Sequence, residues 1–338
     1  MPTFCRHNRF IERCPICSRT LPGNEPAGVP AGHARAGSAT PGRARDGAAR
    51  RPRREGLRVR REGRAAEDGY RSELVPGLHA SADAERLAQE MAFASARLAA
   101  LAVDPQGTYG RARDAAADGD LERATWACFL LAYLCPTEDG DPFAAVEAVL
   151  AAAPLPAAAG AQADELLEGL SLGPRSSHRA GSGTQTLRAY ADWARRTGGE
   201  GGQAAAFGGD PTWPPERRFA RLFERLALPG LSRAARFELL ASLGRLEIYD
   251  LSSDSLQLSA SRPGGAEDAA TLAAKRVFGI GDPLLLDRRA AALAEAASVP
   301  LEALDLALSN WAGPERATYG FRPAAEPDAA DVAAVLGV

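Results

Sequence analysis

The sequence predicts an all-α body of many helices, carried behind a short cysteine-rich head and a basic arm. Three observations point there. Apolar residues in the second part of the chain recur at spacings of three and four, the period of one helix face. Proline and glycine punctuate these stretches at helix-length intervals. Runs that alternate apolar and polar residues, the mark of a half-buried strand, are nearly absent. Of 338 residues, 46% are hydrophobic and 25% charged, which is enough apolar material for a core. Only 6% are aromatic, so that core is expected to be mostly Ala and Leu. The longest apolar run, Trp126 to Leu134, falls far short of the ~18 residues that span a membrane. No export signal is expected, because the first residues lack an apolar segment. These numbers exclude a membrane protein and a wholly disordered chain.

Residues 1–20 read as a zinc knuckle. They carry Cys5-Arg6-His7 and then, after six residues, Cys14-Pro15-Ile16-Cys17. Zinc takes four thiolate or imidazole ligands in a tetrahedron, with sulfur near ~2.3 Å and nitrogen near ~2.1 Å. Cys5, His7, Cys14 and Cys17 supply four, leaving no open position, so the site is expected to be structural. So short a segment has no core of its own, and metal binding would supply its folding energy. Cys5-x-His7 is a tighter pair than usual. Without zinc the segment is an unliganded, reducible tail. A redox role for the second pair would need a βαβ context that the sequence does not provide.

Residues 21–71 form an Arg/Gly/Ala/Pro-rich linker with almost no large apolar side chains, and disorder is expected there. The first 71 residues hold sixteen arginines against seven acids, while the rest has 24 basic and 36 acidic residues. A basic arm on an acidic body is a pattern expected for nucleic-acid contact. Compositional drift is the alternative, since Lys275 is the only lysine in an Arg-, Ala- and Gly-rich chain. The five cysteines are an odd number. With no export signal, they place the chain in a reducing compartment, and the cytoplasm is the expected location.

The body divides by sequence into an N-terminal helical part, 72–170, and a C-terminal one, 171–335. Ser81 or Asp83 caps the first helix, whose stripe is Leu87, Met91, Ala94, Leu98 and Leu101. A second runs from about Asp120 to Cys135, with Leu121, Ala124, Cys128, Leu131 and Cys135 on one face and Pro136 at its end. Cys128 and Cys135 are therefore expected in the core rather than as reactive thiols. Short helices follow over 144–153 and 161–170. After a Gly/Ser loop, 176–183, comes a helix over 186–196, and then a second glycine-rich loop at 198–202. Further helices are expected at about 215–227, 233–243, 266–278, 283–297 and 300–311. The one weak strand candidate is 246–258.

The segment Lys275-Arg276-Val277-Phe278-Gly279-Ile280-Gly281-Asp282-Pro283 joins two of these helices. Its glycines permit a tight turn, Asp282 can cap the second helix, and Pro283 suits the first helical position. Free amides at such a bend, with a helix N-terminus, make an anion site. The alternative is an ordinary glycine-terminated helix. The segment resembles the helix-hairpin-helix motif, whose hairpin amides hold a DNA phosphate. Leu228-Pro229-Gly230-Leu231 looks like a second such hairpin, with Ser232 where the second glycine is expected. The segment from Leu286 to Ala294 resembles the apolar-Asp stretch of helix-hairpin-helix DNA glycosylases, which implies a catalytic role for Asp287. Six positions separate it from Gly281, where that family has a full helix.

The texture of 178–183, 213–219 and 275–289 is also similar to the α-glutamyl/putrescinyl thymine pyrophosphorylases. That resemblance implies amine transfer onto hypermodified thymine, with a flipped base, cations for the leaving pyrophosphate and a carboxylate for the amine proton. Lys275 and Asp287 are the chemistry candidates. Gly279, Ile280, Gly281, Asp282, Arg276, Arg288, Arg289, His178 and Arg179 are the DNA- and phosphate-binding candidates. Each has a plain alternative as a solvated charge, a helix-terminus residue or a loop residue. Trp213 could stack a base or pack a helix entry. Three functions stay open at this point: a DNA base-modifying enzyme, a non-catalytic zinc-dependent nucleic-acid-binding module, and an intracellular helical interaction scaffold. The expected partner is nucleic acid, DNA first, with no membrane; the oligomeric state stays open.

Overall fold

A computed structural model describes residues 65–159, 163–258 and 267–338. The metal-ligand candidates Cys5, His7, Cys14 and Cys17, and most of the linker, lie outside the described residues. Among the described residues every regular element is helical. Helix α1 (Ser81–Val103) buries the stripe expected of it, from Leu87 to Leu101. Its start is capped from a distance. Ala80 has no capping side chain, and the Asp68 carboxylate instead accepts from the Ser81 main-chain N–H (3.0 Å) and the Ser81 hydroxyl. The end of the expected linker is thus ordered. Tyr70 is its reason: the ring is buried, and its hydroxyl donates to the Leu336 carbonyl at 2.6 Å.

Helix α2 (Gly107–Ala117) escaped the sequence reading. Two glycines in its first turn and only three buried residues leave no apolar stripe to find. Helix α3 (Leu121–Leu134) is the centre of the molecule. Asp120 caps it by accepting from Arg123 N–H at 3.0 Å, and every residue from Ala124 to Leu134 is buried. Such a helix has no polar face because it is enclosed on all sides. One aromatic cluster forms on it: Phe129 stacks on Tyr190 with centroids 3.8 Å apart, and Trp126 and Tyr133 flank Phe129. An Ala/Leu core is therefore only half the story. Cys128 and Cys135 are unpaired and buried, and burial pushes both thiols upward, Cys135 to about 12.

Helices α4 (Ala144–Ala152), α5 (Pro156–Ala159) and α6 (Ala163–Leu167) are short, and Pro154 lies between the first two. Helix α7 (Gly183–Gly198) starts three residues before its expected onset, and α8 (Gly202–Gly208) occupies part of what reads as a glycine loop. Then follow α9 (Pro215–Arg225), α10 (Arg233–Arg245), α11 (Ala269–Phe278), α12 (Pro283–Ala296), α13 (Ala303–Ala312) and α14 (Ala330–Leu336). The strand candidate 246–258 is a loop that plugs the core with Leu246, Ile248, Leu251, Leu256 and Leu258. The described residues belong to one compact unit. The expected division near residue 170 runs through it, since α1 packs on α13 and α3 on α10.

Buried ion pairs tie these helices together. Arg97 of α1 donates through both terminal nitrogens to Glu238 of α10, and the pair is almost fully buried. Arg233 of α10 bridges Asp305 of α13 and Asp268, the residue that caps α11. Arg175 donates to the other oxygen of Asp305 at 2.6 Å. Removing one partner of such a pair leaves an uncompensated buried charge, which costs about 3–5 kcal/mol. Asp305→Ala is expected to destabilise the protein by about that amount in urea denaturation. A loss under about 1 kcal/mol, the range of an exposed ion pair, would remove the network from any structural role.

Candidate nucleic-acid interface

The bend between α11 and α12 is built from sequence-local parts. Asp268 opens α11 by accepting from Thr271 N–H at 3.1 Å. Gly279 closes it in the left-handed conformation, φ 64°, which favours glycine. Pro283 then sits in the first turn of α12. Gly279 and Gly281 are exposed and Ile280 is half-buried. Among the described residues, the main-chain N–H groups of Gly279, Ile280 and Gly281 have no hydrogen-bond partner.

One side of the bend is braced. Gly77 donates its N–H to the Val277 carbonyl at 2.9 Å. The contact is so close that a Cβ on Gly77 would stand 1.9 Å from the Arg276 carbonyl oxygen. The Pro76-Gly77 pair and His79 thus join Leu272, Lys275, Arg276, Gly279 and Ile280 around a shallow open groove. His79 reaches the groove behind the Pro-Gly pair at 76–77, a dipeptide that marks a turn in the sequence. Arg71 donates to the Nδ1 of His79 at 3.0 Å, which fixes that nitrogen as the acceptor.

The α12 end contributes less than its sequence suggested. The Asp282 carboxylate accepts from Leu284 N–H (2.9 Å) and Leu285 N–H (3.4 Å), so the helix N-terminus is already filled by an anion. Asp282 shapes the bend and does not offer a phosphate contact. The Lys275 ammonium pairs with Glu267. Arg289 reaches the Glu73 carbonyl at 3.5 Å, and Arg288 is exposed one residue earlier.

Lys275 and Asp287 do not converge. Asp287 is half-buried, and its Oδ1 accepts from Leu258 N–H at 3.4 Å, beside Ser255 and Leu256. Burial raises its carboxyl above the ordinary aspartate value, against the opposing effect of these hydrogen bonds and of Arg233. His178 and Arg179 belong to another neighbourhood. His178 Nδ1 shares a hydrogen bond with the Tyr133 hydroxyl at 3.0 Å, and burial lowers its proton affinity. The Arg179 carbonyl accepts from Ser182, closing the turn before α7, while its side chain is exposed. The Leu228–Leu231 turn packs there too. Ser232 N–H donates to Ser177 Oγ, which itself donates to the Gly230 carbonyl. Its main-chain groups are therefore used in packing, unlike those of the Gly279–Gly281 bend.

Among the described residues, no group of three or more His, Cys, Asp or Glu side chains is arranged to hold a metal ion. No helix there is long and apolar enough to cross a membrane. Comparisons with family models, curated proteins and solved structures find no match to this chain.

Asp287 carries a pH signature. Because its folded-state proton affinity is raised, the ionised form costs stability above that raised pKa. The cost disappears as pH falls through it toward the ordinary 3.8. Asp287→Asn keeps an acceptor for Leu258 N–H and removes the charge. It is expected to raise the urea midpoint at pH 7, with the gain vanishing near pH ~3. An equal gain at both pH values would show that charge burial is not its source.

Proposed function

We propose that this protein binds DNA and that the α11–α12 bend holds a backbone phosphate. The observation that carries the reading is the set of three unbonded amides at an exposed bend, beside a groove containing Lys275, Arg276 and His79. Amides of that kind accept an anion at little reorganisation cost, because their geometry is fixed by the Gly77 brace. The surface ion pair of Lys275 is weak and exchanges readily for a phosphate contact. A base-modifying activity, glycosylase-like or a transfer onto hypermodified thymine, is the second reading. Its support is the half-buried Asp287, whose carboxyl burial raises above the ordinary aspartate value; its missing element is a cation that meets Asp287 and a substrate together.

The head would add a structural zinc. Cys5, His7, Cys14 and Cys17 form a closed three-thiolate, one-imidazole set, suited to folding the head rather than to chemistry. Metal analysis of the purified chain is expected to return about one equivalent of zinc, lost in Cys14→Ser. A metal-free wild-type chain would remove this part of the proposal.

For the bend itself, Gly281→Pro deletes one amide donor. A Cβ at this position meets nothing within 4 Å, and its φ is not in the left-handed region. A hydrogen bond to a charged group contributes about 1.5–3 kcal/mol, so affinity for a duplex oligonucleotide is expected to fall about tenfold or more. Fluorescence anisotropy of the full chain at low salt reads this directly. Unchanged affinity, with the variant folded, would end the amide–phosphate reading.

A further inference from the structure

Helix α9 carries a second cationic surface that shares no residue with the bend. Phe219, Leu222 and Phe223 anchor its inner side. Arg217, Arg221 and Arg225 recur at intervals of four, so they form a row along the outer side with about 6 Å between successive residues. All three are exposed. Arg218 is turned aside to Asp250. Among the described residues, Arg217 and Arg225 have no carboxylate within ion-pair distance. Arg221 meets Glu224 at 2.9 Å with both side chains more than half exposed, a pair that contributes little and exchanges readily. Asp210 is the other acid close enough to sense Arg217.

At the start of this row stands Trp213. Its N–H donates to the Asp210 carbonyl at 3.1 Å, and Pro214 and Pro215 follow, so its backbone is held. The ring is half-buried, and the Arg217 guanidinium lies 4.2 Å from its centroid. Trp126 and Trp193, by contrast, are enclosed in the core. The face therefore combines a held, partly exposed indole with cations at a regular interval. A basic groove with an aromatic stacking platform is the arrangement that takes unpaired bases and their phosphates.

We infer that this face of α9 binds single-stranded nucleic acid. Trp213 stacks a base, and Arg217, Arg221 and Arg225 meet successive phosphates. A duplex hides its base faces and would leave Trp213 without a partner, whereas a single strand presents both groups at once. The inference stands whether or not the α11–α12 bend holds a phosphate.

The test titrates the full chain with a short oligo-dT at several salt concentrations. Three phosphate contacts predict that the triple variant R217A/R221A/R225A lowers the slope of log K against log salt by about 2. Trp213→Ala is expected to weaken binding about tenfold, and Trp213→Phe to recover most of it, as base stacking requires. Oligo-dT should quench a part of the tryptophan emission that is missing from Trp213→Phe. An unaltered salt slope in the folded triple variant overturns the inference. So does poly-glutamate binding as tightly as oligo-dT with the same variant dependence, because the face would then read charge alone.

Discussion

The Asp305 carboxylate sits out of water between two guanidinium groups, and the positions of four segments follow from that. Arg175 arrives from the loop after α6, Arg233 from the start of α10, and Asp305 itself from α13. Arg233 passes the link on to Asp268, which opens α11. One residue thus both starts a helix and anchors it to the core. Helix α11 then carries that fixed point about 15 Å to its other end, where the glycine bend lies. Geometry at the bend is set by charge pairing deep in the protein, with Gly77 closing the last few ångströms. A buried pair of this kind is weak as a source of net stability, because desolvation offsets the attraction. Its role here is to hold one arrangement of helices against others.

The helical class and the long helices were legible because their apolar stripes repeat, as Leu87 to Leu101 do in α1. The bend was legible because Gly279, Gly281, Asp282 and Pro283 each have a local backbone job. Three kinds of feature were not. Helices α2, α8 and α14 are short and glycine-bounded or barely buried, so periodicity has nothing to register. Long-range partners leave no local mark: Asp68 caps α1 from thirteen residues away, and Arg97 meets Glu238 across 141 positions. Spatial relation between candidates was invisible as well. Lys275 and Asp287 are twelve residues apart in sequence, yet one faces Glu267 and the other the Leu258 loop.

Charge is the larger tension in this molecule. The segment after residue 71 is acidic overall, so long-range steering of a polyanion toward it is unfavourable. Several of the body's arginines are spent on buried carboxylates, as at Arg97, Arg233 and Arg316. Contact with phosphate would then depend on short-range features that work inside a Debye length, about 10 Å at 0.1 M salt. Fixed amides and a row of exposed arginines on one helix are features of that kind. The basic residues of the first 71 positions would supply the long-range attraction that the helices lack.

The Tyr70 hydroxyl and the Leu336 carbonyl, 266 positions apart, bring the two flanks of the helical body to one seam. Helix α14 lies along that seam against α1 and is only seven residues long. A pulling force applied at the two flanks would load the Tyr70 contact before any longer helix. The body would begin to open at α14.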